Sequence, residues 1–152
     1  MMIVTFCGHG TVADKNDVQE WLYSTTKSLI LEGAKIFYLG GYGEFDNLAK
    51  AVLIEQKKYH SHIEIVLILP YLNTSIDGTG YCYTLYPPLE GIPKRFAILK
   101  RNEWIVKQSE IVIAYVTHGW GGAAKTLEFA HRKKKRVVLY SPNKEVRKTK
   151  ED

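Results

Sequence analysis

Five short apolar runs rich in β-branched residues, each separated from the next by a stretch with helical spacing, constrain this chain more than any other feature. They are MIVTF at 2–6, KIFYL at 35–39, IEIVLIL at 63–69, EIVIAYV at 110–116 and RVVLY at 136–140. Near-continuous apolar strands belong to parallel sheets, where helical crossovers cover both faces. Between the first two runs, Val18, Trp21, Leu22, Thr25 and Leu29 share one helical face over 14–31, and Gly33 suits the C-terminal cap. Phe45, Leu48, Ala49, Val52 and Leu53 do the same over 44–59. Further helices are predicted over 95–108, with Pro93 at the entry, and over 122–134. There is no internal repeat and no linker. The pattern predicts an α/β fold, a Rossmann-like three-layer α/β/α arrangement with a mainly parallel five-stranded sheet. Residues 1–141 read as one domain and 142–152 as a basic flexible tail.

In such sheets ligands bind beyond the carboxyl ends of the strands, where strand order reverses. Three of the turns on that edge are rich in glycine. Gly8, His9 and Gly10 follow the first run; Gly40, Gly41 and Gly43 follow the second, with Glu44 and Asp46 close behind. His118, Gly119, Gly121 and Gly122 follow the fourth, with Lys125 and Thr126 one turn further on. Glycine lets a ligand approach the backbone without a Cβ in the way, and the amides of the next helix start suit phosphate or carboxylate. A strand-to-helix turn often holds one glycine merely to turn, but three such turns on one edge point to a ligand site. None is a G-x-x-x-x-G-K-[ST] loop, and no G-x-G-x-x-G fingerprint with its acidic partner is present. Adenosine triphosphate hydrolysis and ordinary dinucleotide oxidoreduction are therefore disfavoured.

The stretches Arg101-Asn102-Glu103-Trp104, Ser109 to Ala114 and Gly121-Gly122-Ala123-Ala124-Lys125-Thr126-Leu127-Glu128 together resemble the SLOG superfamily. That group unites the lonely-guy phosphoribohydrolases, the DNA-processing Smf proteins and assorted nucleotide-ligand sensors. The hydrolases carry an arginine, an acidic residue nine positions later, an apolar strand, and then P-G-G-x-G-T-x-x-E. Arg101 and Glu110 have that separation, and Gly121, Gly122 and Glu128 have the spacing of the glycine pair and glutamate. The proline is missing, Ala124 replaces the third glycine and Lys125 stands in the threonine position, with Thr126 one place late. The resemblance implies a Rossmannoid fold and a nucleotide-like ligand. It also implies Arg101 and Glu128 as the catalytic pair should the chain be a hydrolase. Glycosidic cleavage at ribose needs a carboxylate beside an oxocarbenium-like state, and Glu44 and Asp46 are further candidates. With the hydrolase motif degraded, the first reading is a sensor or sequestering protein for a nucleotide or nucleotide derivative. Nucleotide N-glycosidic hydrolysis is the alternative, and DNA binding of the Smf type is third.

The net charge of +5 is uneven: RKKKR at 132–136 and the tail supply nine of the 21 Lys and Arg residues. Cations there complement a helix C-terminus and solvate a chain end, so nucleic acid is an unlikely partner. Cys7 and Cys82 show neither metal spacing nor a disulfide framework, which fits a reducing cytoplasm. No signal-peptide pattern and no membrane-length apolar run is present, so neither export nor a membrane partner is expected. His60 and His62 belong to an exposed loop, and His9 and His118 lack a visible partner set, so neither a metal nor a cofactor is expected. Residues 70–93 lack periodicity and leave the ligand edge; Tyr71, Tyr81, Tyr83 and Tyr86 could cap a pocket, pack the loop or build a homo-oligomer contact.

Overall fold

The computed structural model describes residues 2–72 and 74–141. The strands are β1 (Met2–Gly8), β2 (Ala34–Leu39), β3 (Glu64–Ile68), β4 (Tyr83–Leu85), β5 (Ile111–Tyr115) and β6 (Arg136–Leu139). The helices are α1 (Lys15–Glu32), α2 (Gly43–Lys57), α3 (Lys94–Gln108) and α4 (Gly122–Arg132). The strands form one sheet in the order β4-β3-β2-β1-β5-β6, and every neighbouring pair is parallel. Strand order reverses at β1, which lies between β2 and β5, so the crevice for a ligand opens there.

Period-two alternation along the strands splits the core between the two sheet faces. Val4 and Phe6 of β1 and Phe37 and Leu39 of β2 pack with Leu22 and Leu29 of α1 and Phe45 and Leu53 of α2. Cys7 faces the other way, with Val106 of α3 and Phe129 and Ala130 of α4, while Ile36 and Tyr38 meet Ile105. Thus α1 and α2 pack side by side on one face, and α3 and α4 on the other. Gly33 closes α1 at φ 115° and its amide bonds back to Ile30 O, as its position suggests.

Two expectations need correction. The sheet has six strands rather than five: β4 is only three residues long and lies inside the segment read as lacking periodicity. An edge strand this short, with Tyr83 and Thr84 exposed, carries no alternation to read; it is specified by pairing, Val66 opposite Tyr83 and Ile68 opposite Leu85. The first strand also runs to Gly8 rather than Phe6, because β5 continues the ladder and sets Gly8 opposite Tyr115. The expected tail, 142–152, lies outside the described residues. Among the described residues, no helix is long and apolar enough to cross a membrane.

Candidate functional site

A cleft of about 740 Å³ opens at the carboxyl edge of the sheet, at the reversal point beside β1. Gly8, His9, Gly10, Gly40, Gly43, Asp46, Arg101, His118, Gly121, Gly122 and Thr126 line it, which brings eleven of the expected residues together. Gly41, Glu44, Gly119, Lys125 and Glu128 are not on its wall. Glu128 is exposed on α4, loosely paired with Arg132 at 3.8 Å, and with Lys125 it borders a separate shallow hollow between α3 and α4. The structure therefore separates Glu128 from Arg101, because the helical period turns it away from the face that carries Gly122 and Thr126.

The three glycine turns differ in what their backbone groups do. Gly43 starts α2 at φ 89°, and a Cβ there would lie 2.9 Å from Gly10 Cα, so the first two turns touch. Several of their polar groups bond across or within these two turns. Glu44 N donates to Gly10 O at 2.9 Å, and the Glu44 carboxylate accepts from Val12 N at 2.7 Å while pairing with Lys15 at 3.2 Å. The Val12 amide, and then Lys15, hold the Glu44 carboxyl below its ordinary pKa. Asp46 Oδ2 accepts from Gly40 N at 3.1 Å and from Gly41 N at 3.0 Å, filling with the chain's own carboxylate a nest that would otherwise take an anion. Gly8 serves packing: an added Cβ would overlap the Phe45 ring at 2.2 Å.

The third turn is open. Gly121 caps α4 at φ 91° and ψ 178°, a conformation glycine alone adopts readily, and the first intrahelical bond runs from Lys125 N to Gly121 O. The amides of Gly122, Ala123 and Ala124 precede that ladder and have no intrahelical acceptor. Gly121, Gly122 and Ala123 are on the cleft wall, and a Cβ on Gly122 would meet nothing within 4 Å. The positive end of α4 thus faces empty space.

Arg101 reaches the same cleft from α3 with only 2% of its surface exposed. Its Nη1 donates to Gly40 O at 3.0 Å and to Ile68 O at 2.8 Å, and its Nε to Asn102 Oδ1 at 2.8 Å. It therefore ties the ends of β2 and β3 together, and Gly40 lacks a side chain where one would sit 3.0 Å from the guanidinium. Burial lowers the Arg101 pKa, opposed by the charge of Asp46. Burial raises the Asp46 pKa to about 6, against the pull of Arg101 and of the amides that bond it.

On the wall between the first and third turns, His9 and His118 stack at 3.8 Å, and Trp120 covers the other side of His118 at 3.6 Å. Thr117 N donates to His9 Nε2 at 2.9 Å, which makes that nitrogen an acceptor and latches the two turns together. Burial, and then the neighbouring His118, lower the His9 pKa. Cys7 is no nucleophile: its thiol donates to Ala123 O at 3.0 Å, and burial pushes its pKa up to about 12. The sequence reading missed Cys7, Tyr42, Ile98, Ile105 and Tyr115, all on the wall. The spacing of Ile98, Arg101 and Ile105 along one helical stripe was the available signal for α3. Among the described residues, no group of three or more His, Cys, Asp or Glu could hold a metal ion.

No family model matches the chain, and no curated protein matches it in sequence. Solved structures match it along most of its length. The DNA processing protein A from Helicobacter pylori has a TM-score of 0.65 at 15% identity, over 91% of this chain and 64% of that one. This chain thus spans less than two thirds of that protein. The molybdenum cofactor carrier protein from Chlamydomonas reinhardtii has a TM-score of 0.60 at 17% identity, over 100% of this chain and 86% of that one. The chain shares the Rossmann-like α/β fold of these proteins. The molybdenum cofactor binding protein from Rippkaea orientalis aligns with the same fold at a TM-score of 0.61 and 22% identity, over 91% of this chain and 75% of that one. Structural likeness at these identities shows the fold alone.

Proposed function

We propose that this chain binds a phosphate-bearing small molecule, a nucleotide or nucleotide-derived compound, and holds it without cleaving it. The observation that carries this reading is the open N-terminus of α4 on the wall of a ligand-sized cleft, next to a turn whose Gly40 and Gly41 amides are already taken by Asp46. A phosphate seats at α4, and the body of the ligand extends along the apolar wall of Ile98, Ile105 and Val106. Cleavage at ribose requires a free carboxylate near the anomeric carbon. Asp46 is the only carboxylate lining the cleft among the described residues, and its Oδ2 is committed to two amides. Storage or sensing fits that arrangement better than hydrolysis. Two of the fold neighbours are described as carrying or binding molybdenum cofactor, which supports the carrier class.

The test is a thermal-shift screen of nucleoside mono-, di- and triphosphates, dinucleotides and molybdenum cofactor, with a single-stranded oligonucleotide as the counter-probe. A ligand at one hundred times its Kd stabilises the folded state by about 2.7 kcal/mol, or roughly 5–10 °C in Tm for a domain of this size. Gly122→Val should remove the shift while leaving the Tm of the free protein unchanged, since the added side chain enters open space. Chromatography of the bound nucleotide after hours of incubation should find it intact. A flat screen refutes the reading, and released base with ribose 5-phosphate converts it to the hydrolase.

A further inference from the structure

Five aromatic side chains reach the cleft wall: Phe6, His9, Tyr42, Tyr115 and His118. Four of them are engaged with other rings of the protein. Phe6 is buried against Phe37 and Phe45, and Tyr115 against Phe45 and Tyr140. His9 and His118 stack on each other, with Trp120 covering the far side of His118. Trp120 is 70% exposed but does not line the cleft. Tyr42 differs: among the described residues no ring stacks on it, and it is 44% exposed on the wall. Yet it is held at three points. Its amide hydrogen-bonds the Asp46 carboxylate, as those of Gly40 and Gly41 do. The Arg101 guanidinium lies over its ring, 5.8 Å from the centroid. The Tyr71 hydroxyl hydrogen-bonds its own, and Tyr71 is in turn covered by Lys94 at 4.8 Å. A ring fixed in advance yet left exposed loses little side-chain entropy when a ligand lies on it.

We propose that Tyr42 is the platform on which a planar heteroaromatic ring of the ligand stacks, so that the cleft selects a base-bearing phosphate over a bare sugar phosphate. This deepens the reading of a phosphate seated at α4, and rests on it. Tyr42 follows β2 and α4 follows β5, with β1 between the two strands. Two strand spacings, roughly 10 Å, therefore separate the turns, the scale of a nucleoside monophosphate laid with phosphate and base at opposite ends. Ile98, one turn from Arg101 on α3 and exposed on the same wall, adds an apolar surface beside the ring. Every nucleobase has a π-face, so the platform selects for a flat ring rather than for one particular base.

Isothermal titration calorimetry of the full chain with ribose 5-phosphate, adenosine and adenosine 5′-monophosphate separates ring from phosphate. On the wild type the monophosphate should bind at least about fivefold tighter than ribose 5-phosphate. Tyr42→Ala should abolish that preference while leaving the affinity for ribose 5-phosphate unchanged, and Tyr42→Phe, which keeps the ring, should retain it. Should Tyr42→Ala fail to fold by circular dichroism, Tyr42→Leu, which keeps bulk beside Arg101 without the ring, takes its place. Equal wild-type affinities for the monophosphate and ribose 5-phosphate overturn the platform and leave the phosphate seat standing. A preference that survives the loss of the Tyr42 ring overturns the platform too. Adenosine binding as tightly as the monophosphate overturns the phosphate seat instead, and the platform stands when Tyr42→Ala weakens adenosine as well. Binding of none of the three overturns both.

Discussion

Asp46 offers the sharpest test of how the cleft is built, because its environment makes stability depend on pH in an unusual direction. Its carboxyl is raised from the ordinary 3.8 to about 6, burial outweighing Arg101 and the amides of Gly40 and Gly41. The folded state then holds the Asp46 proton more tightly than the unfolded chain does. Protonation favours folding, so this contribution is fully present below the unfolded pKa and is lost as pH rises through the folded one. A shift of about two units corresponds to about 3 kcal/mol. Asp46→Asn cannot ionise and keeps an oxygen for the Gly40 and Gly41 amides. Urea unfolding of both proteins at pH 4, 5, 6 and 7 isolates the effect. The stability of the wild type relative to Asp46→Asn should fall by about 2 kcal/mol between pH 4 and 7, with most of the loss between pH 4 and 6. A difference that stays constant across that window would refute the reasoning, and so would one that grows in favour of the wild type. The second result would mean that Arg101 and the amides outweigh burial.

Other substitutions probe the same construction. Arg101→Met leaves Gly40 O and Ile68 O without their donor and should cost about 3–5 kcal/mol in urea unfolding; a loss under 1 kcal/mol would show that Arg101 is free to act on a ligand instead. Gly8→Ala drives a methyl into the Phe45 ring and should cost about 1–3 kcal/mol. Gly10→Ala meets nothing within 4 Å and should change stability by less than about 0.5 kcal/mol by the same measurement. His9→Ala removes the acceptor of Thr117 N at the cleft mouth, so hydrogen exchange at Thr117 should quicken while exchange in β1 and β5 stays the same.

The layered fold was legible in the residues themselves. Apolar runs such as IVLI and IVIA, alternating with helical stretches, point to doubly covered parallel strands, and the helical stripes around Leu22 and Leu53 supply the cover on one face. The carboxyl edge and its three glycine turns were legible too, because helix-start amides and missing side chains are local properties. What each turn does was not. The Asp46 carboxylate fills the Gly40–Gly41 nest, Glu44 locks the first two turns together, and the α4 start is left open. Gly41 sits at φ 82° with Leu67 2.8 Å from where its Cβ would be, which ties it to the backbone turn rather than to the cleft. β4 and the position of Glu128 were hidden for a related reason: a three-residue edge strand has no period to detect, and a motif's spacing does not say which side of a helix meets the cleft. Periodicity is written into neighbouring residues, so layers, strand direction and the glycine-rich carboxyl edge were readable from the chain alone. Which amides are spent and which remain free depends on carboxylates and rings brought from distant segments, and only the tertiary structure, by packing those segments against one another, decided that.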